Sequence, residues 1–97
     1  MKVAIVGGGI SGLAAAWQAH KEGYDFKVFE ASPKFGGLLS TEYLDDDVVL
    51  EGGAESCLRS KPELLELCKE LGLEDEIIST MPENAGAYVV RLSLIHI

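Results

Sequence analysis

Hydrophobic and polar positions divide the first thirty residues into a strand, a helix and a second strand. Lys2–Val6 is a short run rich in valine and isoleucine, which predicts a buried parallel strand. Ile10–Glu22 is rich in alanine and is followed by the stop signal Gly23, so we expect a helix there. Asp25–Glu30, with the sequence DFKVFE, predicts a second strand. Together these elements form a βαβ unit with parallel strands and a right-handed crossover.

The next segment predicts a β-hairpin after this unit. Leu38–Tyr43 and Val48–Glu51 have the pattern of short strands, and the acidic run Asp45–Asp47 between them predicts a tight turn. The glycines Gly52 and Gly53 end the second strand. Because a charge run in a turn is usually solvated, we assign no metal site to the aspartates.

A second helix is predicted over Ser60–Leu71. Ser60 and Glu63 match the S-x-x-E capping box, leucines recur on one face, and Gly72 supplies a stop signal. Three short elements are predicted beyond it: a helical turn at Asp75–Ser79, a turn at Pro82–Asn84 and a strand at Ala87–Leu92.

Composition limits the classes of partner. The 97 residues allow one domain at most, and the formal net charge of −8 argues against a nucleic-acid partner, because phosphate contacts need clustered lysine and arginine. No segment is long enough for a membrane span, and the N-terminus lacks the pattern of a signal peptide, so we expect a cytoplasmic protein. Cys57 and Cys68 match no zinc or C-x-x-C spacing and are expected to be reduced thiols.

The final residues, Leu92–Ile97, have the sequence LSLIHI and end the chain in an apolar run. One interpretation is a buried final strand, but a strand in this position would be left unpaired, which natural folds avoid. The bases CTG TCT CTT ATA CAC ATC, which resemble a transposon-end sequencing adapter, translate to the same residues. We therefore hypothesise that Leu92–Ile97 is a non-native, adapter-derived tail. A source nucleotide sequence in which ordinary coding sequence continues past Ile97, with no adapter, would exclude this hypothesis.

The turn after the first strand has glycines with the spacing G-x-G-x-x-G. Gly7 permits a sharp turn, Gly9 lets a diphosphate approach the backbone, and Gly12 lets the helix pack closely against the sheet. Gly8 adds conformational freedom, and Ser11 offers a hydroxyl donor. The helix start then directs backbone N–H groups and a partial positive charge at the phosphates. These features predict a dinucleotide site.

Glu30 completes the dinucleotide pattern at the end of the second strand. A carboxylate at this distance from the glycines accepts both hydrogen bonds of an adenosine ribose and repels a 2′-phosphate, so NADP is disfavoured. Strand, glycines, helix, strand and acid follow in the required order, which makes the motif much stronger than glycines alone. The pattern does not by itself distinguish FAD from NAD.

The segment after Glu30 separates these two cofactors. Its sequence, EASPKFGGLLST, resembles the E-A-x-x-R-x-G-G segment of the flavoprotein superfamily that includes amine oxidases, phytoene desaturases and protoporphyrinogen oxidases. The segment wraps FAD in that superfamily, so the resemblance implies FAD. Lys34 stands where arginine is usual, Gly36 and Gly37 match the glycine pair, and Leu38 replaces a residue that is often basic. A cation beside paired N–H groups suits the second phosphate, although lysine lacks the planar fork of arginine.

The likeness is greatest to the protoporphyrinogen oxidase branch and covers nearly all of Met1–Arg91. Both VVLEGGAESCLRSKPELLELCKELGLEDEII and ENAGAYVVR are similar to that branch, although Gly52 stands where it often has arginine. By this resemblance Gly53 and Ala54 pass near the edge of the flavin ring, where small residues allow close approach. The candidate cofactor-binding residues are Gly7, Gly9, Ile10, Ser11, Gly12, Glu30, Ala31, Lys34, Gly36, Gly37, Leu38, Gly53 and Ala54.

The resemblance implies an α/β fold in which residues 1–91 form the N-terminal part of a Rossmann-like FAD-binding domain. It implies that the parent protein is an FAD-dependent oxidoreductase, with oxidation of protoporphyrinogen or coproporphyrinogen in haem biosynthesis as the specific expectation. Such a substrate would be bound by parts outside this chain, so we assign no catalytic residue and expect the chain alone to be inactive. The resemblance leaves peripheral association of the parent with an inner membrane open.

Three alternatives remain. The first is an amine oxidase or a carotenoid desaturase of the same superfamily, which would differ from a porphyrinogen oxidase in the parts outside this chain. An NAD-dependent dehydrogenase would share the glycine turn, but Lys34–Gly37 argues against it. A non-enzymatic binding protein, such as a GDP-dissociation inhibitor, uses a related fold without flavin, and the intact glycine set and Glu30 argue against it.

Overall fold

The computed structural model describes residues 1–54, 56–84, 88–90 and 94–96. It divides into two compact units, Met1–Cys57 and Leu58–Ile97. The first unit contains a βαβ unit and a β-hairpin, and the second contains a helix, two short 3₁₀ helices and two short strands. Within the described ranges, no helix is long and apolar enough to cross a membrane.

The βαβ unit forms as predicted. Strands β1 (Lys2–Val6) and β2 (Asp25–Phe29) pair in parallel and in register from end to end, and helix α1 (Ile10–Lys21) crosses between them. Gly23, with a φ of 75°, follows the C-cap of α1, and its N–H donates to the carbonyl of His20. This is the left-handed residue that commonly ends a helix.

The core of the described residues lies between α1 and the two strands. Its buried hydrophobic side chains are Ile5 of β1 and Ala16 and Ala19 of α1. Two alanines on the buried face let the helix backbone approach the sheet closely. Many larger apolar side chains are exposed, among them Val6 at 86% and Phe29 at 50%. The buried core is therefore small for the amount of apolar sequence.

A β-hairpin follows, but its first strand begins later than predicted. Strands β3 (Thr41–Asp45) and β4 (Val48–Glu51) pair antiparallel, with a register irregularity between Tyr43 and Asp45. The prediction of a strand from Leu38 is wrong, because the residues before Thr41 form a turn. Positive φ values at the preceding glycines produce that turn, and the N–H of Leu39 donates to the carbonyl of Gly36 at 3.0 Å.

In the second unit, helix α2 (Pro62–Glu70) begins two residues later than predicted. The expected capping box is wrong, since Lys61 is the N-cap and no side chain caps the helix. Proline explains the difference. Pro62 is pre-organised for the first helical position, and it holds Lys61 in an extended conformation with φ −108° and ψ 102°. Ser60 is therefore too far from the first turn to cap it.

Short elements complete the second unit. Two 3₁₀ helices cover Glu74–Glu76 and Pro82–Asn84, and strands β5 (Tyr88–Val90) and β6 (Leu94–His96) pair antiparallel. The predicted strand Ala87–Leu92 thus contains β5, while its end residues lie outside the described part. The tail strand β6 pairs with β5, which lies outside the tail, so the expectation that a strand there would be unpaired is wrong. This pairing does not test the proposed adapter origin of the tail, which stays a hypothesis.

Candidate cofactor-binding site

A cavity of about 630 Å³ opens at the carboxyl end of β1, in the first unit. This volume is typical of small-molecule sites. Three glycine-bearing segments surround it: the β1–α1 turn (residues 7–9), the paired-glycine turn (residues 36–37) and the end of the hairpin (residues 52–54). The lining residues are Val6, Gly7, Gly9, Ile10, Ser11, Gly12, Gly36, Gly37, Leu38, Leu39, Gly52, Gly53 and Ala54.

The β1–α1 turn is held by backbone geometry. The N–H of Gly7 donates to the carbonyl of Phe29 at 2.8 Å, which extends the parallel pairing by one residue. Gly7 then turns the chain with a φ of 101°. Gly12 lies so close to the Gly7 carbonyl oxygen that a Cβ there would overlap it, and Ile5 Cγ2 would lie 3.5 Å away. The first turn of α1 therefore packs directly on the turn that precedes it.

The start of α1 faces the cavity with free donors. Gly9 is the N-cap, no side chain caps the helix, and its first turn contains no acidic residue. The first helical hydrogen bond is from the N–H of Leu13 to the carbonyl of Gly9, at 2.9 Å. The N–H groups of Ser11 and Gly12 consequently have no acceptor within the helix. Such groups bind an anion well.

The paired-glycine turn lies against the β1–α1 turn, backbone to backbone. The N–H of Gly36 donates to the carbonyl of Gly8 at 2.8 Å, and Gly9 and Gly36 form a parallel bridge. A Cβ on Gly37 would lie 3.0 Å from the Cα of Gly9. Gly36 and Gly37 have φ values of 122° and 60°. The close approach and these conformations both require glycine in this turn.

The end of the hairpin completes the cavity wall. The N–H of Gly52 donates to the carbonyl of Ser40 at 2.8 Å. A Cβ on Gly53 would overlap the carbonyl oxygen of Leu38. Gly53 therefore lets the hairpin reach the paired-glycine turn, and Ala54 follows at the cavity. This contact brings residues far apart in the sequence into a single concave surface.

Gly8 has a different role from the one expected. Its φ is not positive, so conformational freedom is not what the turn needs there. Instead, a Cβ on Gly8 would overlap the ring of Phe35 and lie 2.8 Å from Glu30 Oε2. A larger residue at this position would therefore require the Phe35 ring and the Glu30 carboxylate to move. Sequence spacing gave no signal for the contact with Phe35, because it depends on how the loop after β2 folds back.

Glu30 links the β1–α1 turn to the loop after β2 through hydrogen bonds. Its Oε2 accepts a hydrogen bond from the N–H of Gly8 at 2.5 Å, and its Oε1 accepts one from the N–H of Ser32 at 3.0 Å. The hydrogen bonds from Ser32 and then Gly8 lower the pKa of the Glu30 carboxyl below its ordinary value of 4.5. A carboxylate has lone pairs beyond these two bonds, so it can still accept from ribose hydroxyls.

The structure brings most of the predicted site residues to one cavity. Glu30, Ala31 and Lys34 are the predicted residues that do not line it. Glu30 reaches the β1–α1 turn from beside the cavity, and the Lys34 carbonyl accepts a hydrogen bond from the Ser32 hydroxyl at 2.7 Å. The roles of these residues toward a cofactor stay predictions. Three lining residues were not predicted although each adjoins a predicted one: Val6, Leu39 and Gly52.

The family of the chain follows from comparison with known proteins. The model of the family described as flavin containing amine oxidoreductase matches residues 10–93, which is most of the chain. The chain belongs to this family. The matched range begins at the start of α1 and includes the paired-glycine turn and the hairpin. The predictions of the flavoprotein superfamily, of an α/β FAD-binding fold and of a flavin cofactor are confirmed.

Relatives from several organisms share this part of their sequence with the chain. Coproporphyrinogen III oxidase of Propionibacterium freudenreichii is 44% identical over 75 residues, covering 77% of this chain. The enzyme of the same name from Bacillus subtilis is 39% identical and covers 92% of the chain. Protoporphyrinogen oxidase 2 of Arabidopsis thaliana is 36% identical over 77% of it. The chain spans 14%, 20% and 15% of these relatives, respectively.

A solved structure of a putrescine oxidase bound to putrescine is also similar. It superposes with a TM-score of 0.66 at 40% sequence identity, covering 74% of this chain and 16% of that one. A flavin fits the residues present in our structure. The uncapped start of α1, the glycines without side chains around the cavity and the acid at the end of β2 are the features that a dinucleotide requires.

Proposed function

We propose that this chain is the FAD-binding part of a porphyrinogen oxidase, an enzyme that oxidises coproporphyrinogen III or protoporphyrinogen during haem synthesis. The named relatives of this branch are 36–44% identical to the chain and match 77–92% of it. The convergence of three glycine-bearing segments on one cavity beside Glu30 carries the FAD-binding part of the proposal, and the identity to coproporphyrinogen and protoporphyrinogen oxidases carries the substrate part. A cytoplasmic location and peripheral membrane association remain predictions.

Different residues of the chain would bind different parts of the cofactor. The N–H groups of Ser11 and Gly12 would donate to the diphosphate, and Glu30 would accept from the adenosine ribose. Gly53 and Ala54 would border the ring. When bound, FAD takes hydride equivalents from the substrate and passes them to oxygen or another acceptor. The chain itself would bind and orient the FAD. The substrate would contact residues outside this chain.

A second function is oxidation of an amine. The putrescine oxidase structure is as similar to this chain in sequence as several of the porphyrinogen oxidases are. The residues that form this cavity would bind the flavin, and both porphyrinogen oxidases and amine oxidases use a flavin. The distinction between the two functions therefore depends on the substrate-binding part that the chain does not contain.

The test uses the full-length protein that carries this chain. We expect it to purify with flavin absorbance and to convert coproporphyrinogen or protoporphyrinogen to the fluorescent porphyrin, measured under dim light in oxygenated and anaerobic buffer. Putrescine serves as the competing substrate, with release of the aldehyde as readout. Oxidation of putrescine but not of either porphyrinogen would reject the porphyrinogen assignment, and a protein that takes up no FAD would reject the whole proposal.

A further inference from the structure

The loop after β2 contacts the buried residue Gly8 of the β1–α1 turn on three sides. The N–H of Gly8 donates to Glu30 Oε2 at 2.5 Å, and the carbonyl of Gly8 accepts from the N–H of Gly36 at 2.8 Å. The third side is the Cα, where a Cβ would overlap Cδ1 of Phe35 and lie 3.0 Å from its Cε1. Two hydrogen bonds and a phenyl ring from the same loop therefore fix the position of Gly8.

The ring of Phe35 lies beside the carboxylate of Glu30. Both are close to the same point, because a Cβ on Gly8 would lie 2.8 Å from Glu30 Oε2 as well as against the ring. The hydrogen bond from the Gly8 N–H to this oxygen is partly buried. An apolar ring beside a hydrogen bond lowers the local dielectric and limits the competition of water, and both effects strengthen the bond.

The orientation of this carboxylate matters for a ribose. A glutamate side chain has several rotatable bonds, so it loses conformational entropy when a ligand has to order it. Here Oε2 accepts from the N–H of Gly8 and Oε1 accepts from the N–H of Ser32 at 3.0 Å, so both oxygens are held before any ligand binds. The remaining lone pairs then point in fixed directions. A carboxylate that is ordered in advance binds ribose hydroxyls without that entropic penalty.

We propose that Phe35 is a positioning residue for Glu30: its ring, packed on Gly8, holds the carboxylate in the orientation that accepts from the adenosine ribose. The phenyl ring has no hydrogen-bonding group, so its effect on the cofactor passes through Glu30. The inference rests on the proposed FAD-binding function and adds a residue that the pattern of glycines and acid does not include. Removal of the ring should weaken recognition of the ribose hydroxyls and leave the rest of cofactor binding unchanged.

The experiment compares two ligands of the full-length apoprotein by flavin fluorescence: FAD and an FAD analogue that lacks the adenosine 2′-hydroxyl. The wild type should bind FAD about tenfold more tightly, because the analogue loses one charge-assisted hydrogen bond. Phe35→Ala should weaken FAD about fivefold and leave the affinity for the analogue nearly unchanged, so that the preference falls to about twofold. Phe35→Leu, which keeps an apolar side chain of similar bulk, should recover most of the preference.

Two further variants separate positioning from a general loss of structure. In a Glu30→Ala background, Phe35→Ala should change the FAD dissociation constant by less than about twofold, because the carboxylate through which the ring acts is absent. Phe26→Ala is the matched control, since it removes a phenyl ring from β2 at a position that pairs with Val3, away from the turn. It should keep the wild-type ratio of the two dissociation constants.

The inference is overturned if Phe35→Ala weakens FAD and the analogue equally, because the ring would then act on the fold or on the cofactor directly. It is also overturned if Phe35→Ala keeps the wild-type preference, or if the wild type binds both ligands equally well, because Glu30 would then not recognise this hydroxyl. A wild type that binds neither ligand would instead reject the FAD-binding function itself, and this inference with it.

Discussion

The β1–α1 turn and the paired-glycine turn meet at the cavity, and they use glycine for different physical reasons. In the paired-glycine turn, positive φ values and a close neighbour both require glycine. In the β1–α1 turn the reasons are separated: Gly7 has a positive φ, and Gly12 has no room for a Cβ. Gly9 has neither constraint, since its φ is −75° and a Cβ would lie 3.9 Å from its nearest neighbour, the Cα of Gly37.

The comparison shows that a glycine motif mixes folding requirements with binding requirements. Gly12 serves the protein's own packing, whatever ligand is present. Gly9 is free of any such need in this fold, so a requirement for glycine there must come from what enters the cavity. Substitutions at these two positions can therefore separate the folding of the turn from its function.

The largest effect is expected from Gly12→Ala. The added Cβ overlaps the Gly7 carbonyl, which is backbone and cannot rotate away, so we expect the free energy of unfolding to fall by about 3 kcal/mol. Chemical denaturation of this chain measures the loss. Gly23→Ala is the control: Gly23 has a positive φ but open space around it, and should lose only about 1 kcal/mol. Equal losses at the two positions would contradict the packing explanation.

The next effect is expected from Gly9→Ala. Alanine adopts an extended conformation without strain, so the unfolding free energy should change by less than about 0.5 kcal/mol. The methyl group occupies the space through which the diphosphate would approach, and FAD affinity should fall by about tenfold or more, or about 1.4 kcal/mol. Flavin fluorescence with the full-length protein gives the affinity. Wild-type FAD affinity in this variant would show that the cofactor does not pass over Gly9.

The smallest effect concerns the pH dependence of stability. The pKa of the Glu30 carboxyl is lowered by the N–H groups that it binds, so its stabilising contribution is present above pH 4.5 and is lost as pH falls through the folded-state value. Glu30→Gln should remove this loss of stability at low pH. The free energy of unfolding, measured by chemical denaturation of the chain, should then depend less on pH than it does in the wild type. Identical profiles for wild type and Glu30→Gln would show that Glu30 does not link the two loops.

The sequence predicted the elements whose signals are local. The bounds of β1 and β4 agree with prediction, and those of α1 and β2 differ by one residue, because apolar runs and stop signals lie within the elements themselves. The start of α2 was wrong for an equally local reason: Pro62 overrode the capping box formed by Ser60. Signals compete within a few residues, and a rigid proline outweighs a possible side-chain hydrogen bond.

The candidate site was predicted as a set of residues, but its assembly was not. Motif spacing predicted Gly7, Gly9 and Gly12, and the resemblance to flavoproteins added the segment 34–38 with its glycine pair and then Gly53 and Ala54. Which of these residues share a wall depended on contacts between segments, such as Gly53 against the Leu38 carbonyl. The position of Lys34 away from the cavity and the packing of Phe35 on Gly8 also depended on the path of the loop after β2.

The sequence by itself determined the βαβ unit, the order of its glycines and the acid at the end of β2. Each of these features follows from backbone preferences and hydrophobic periodicity within a short window. Only the tertiary structure decided which glycines pack against a neighbour and which leave open space, and which of the described residues line one cavity. Those properties arise from distances between segments remote in the chain, which no local preference specifies.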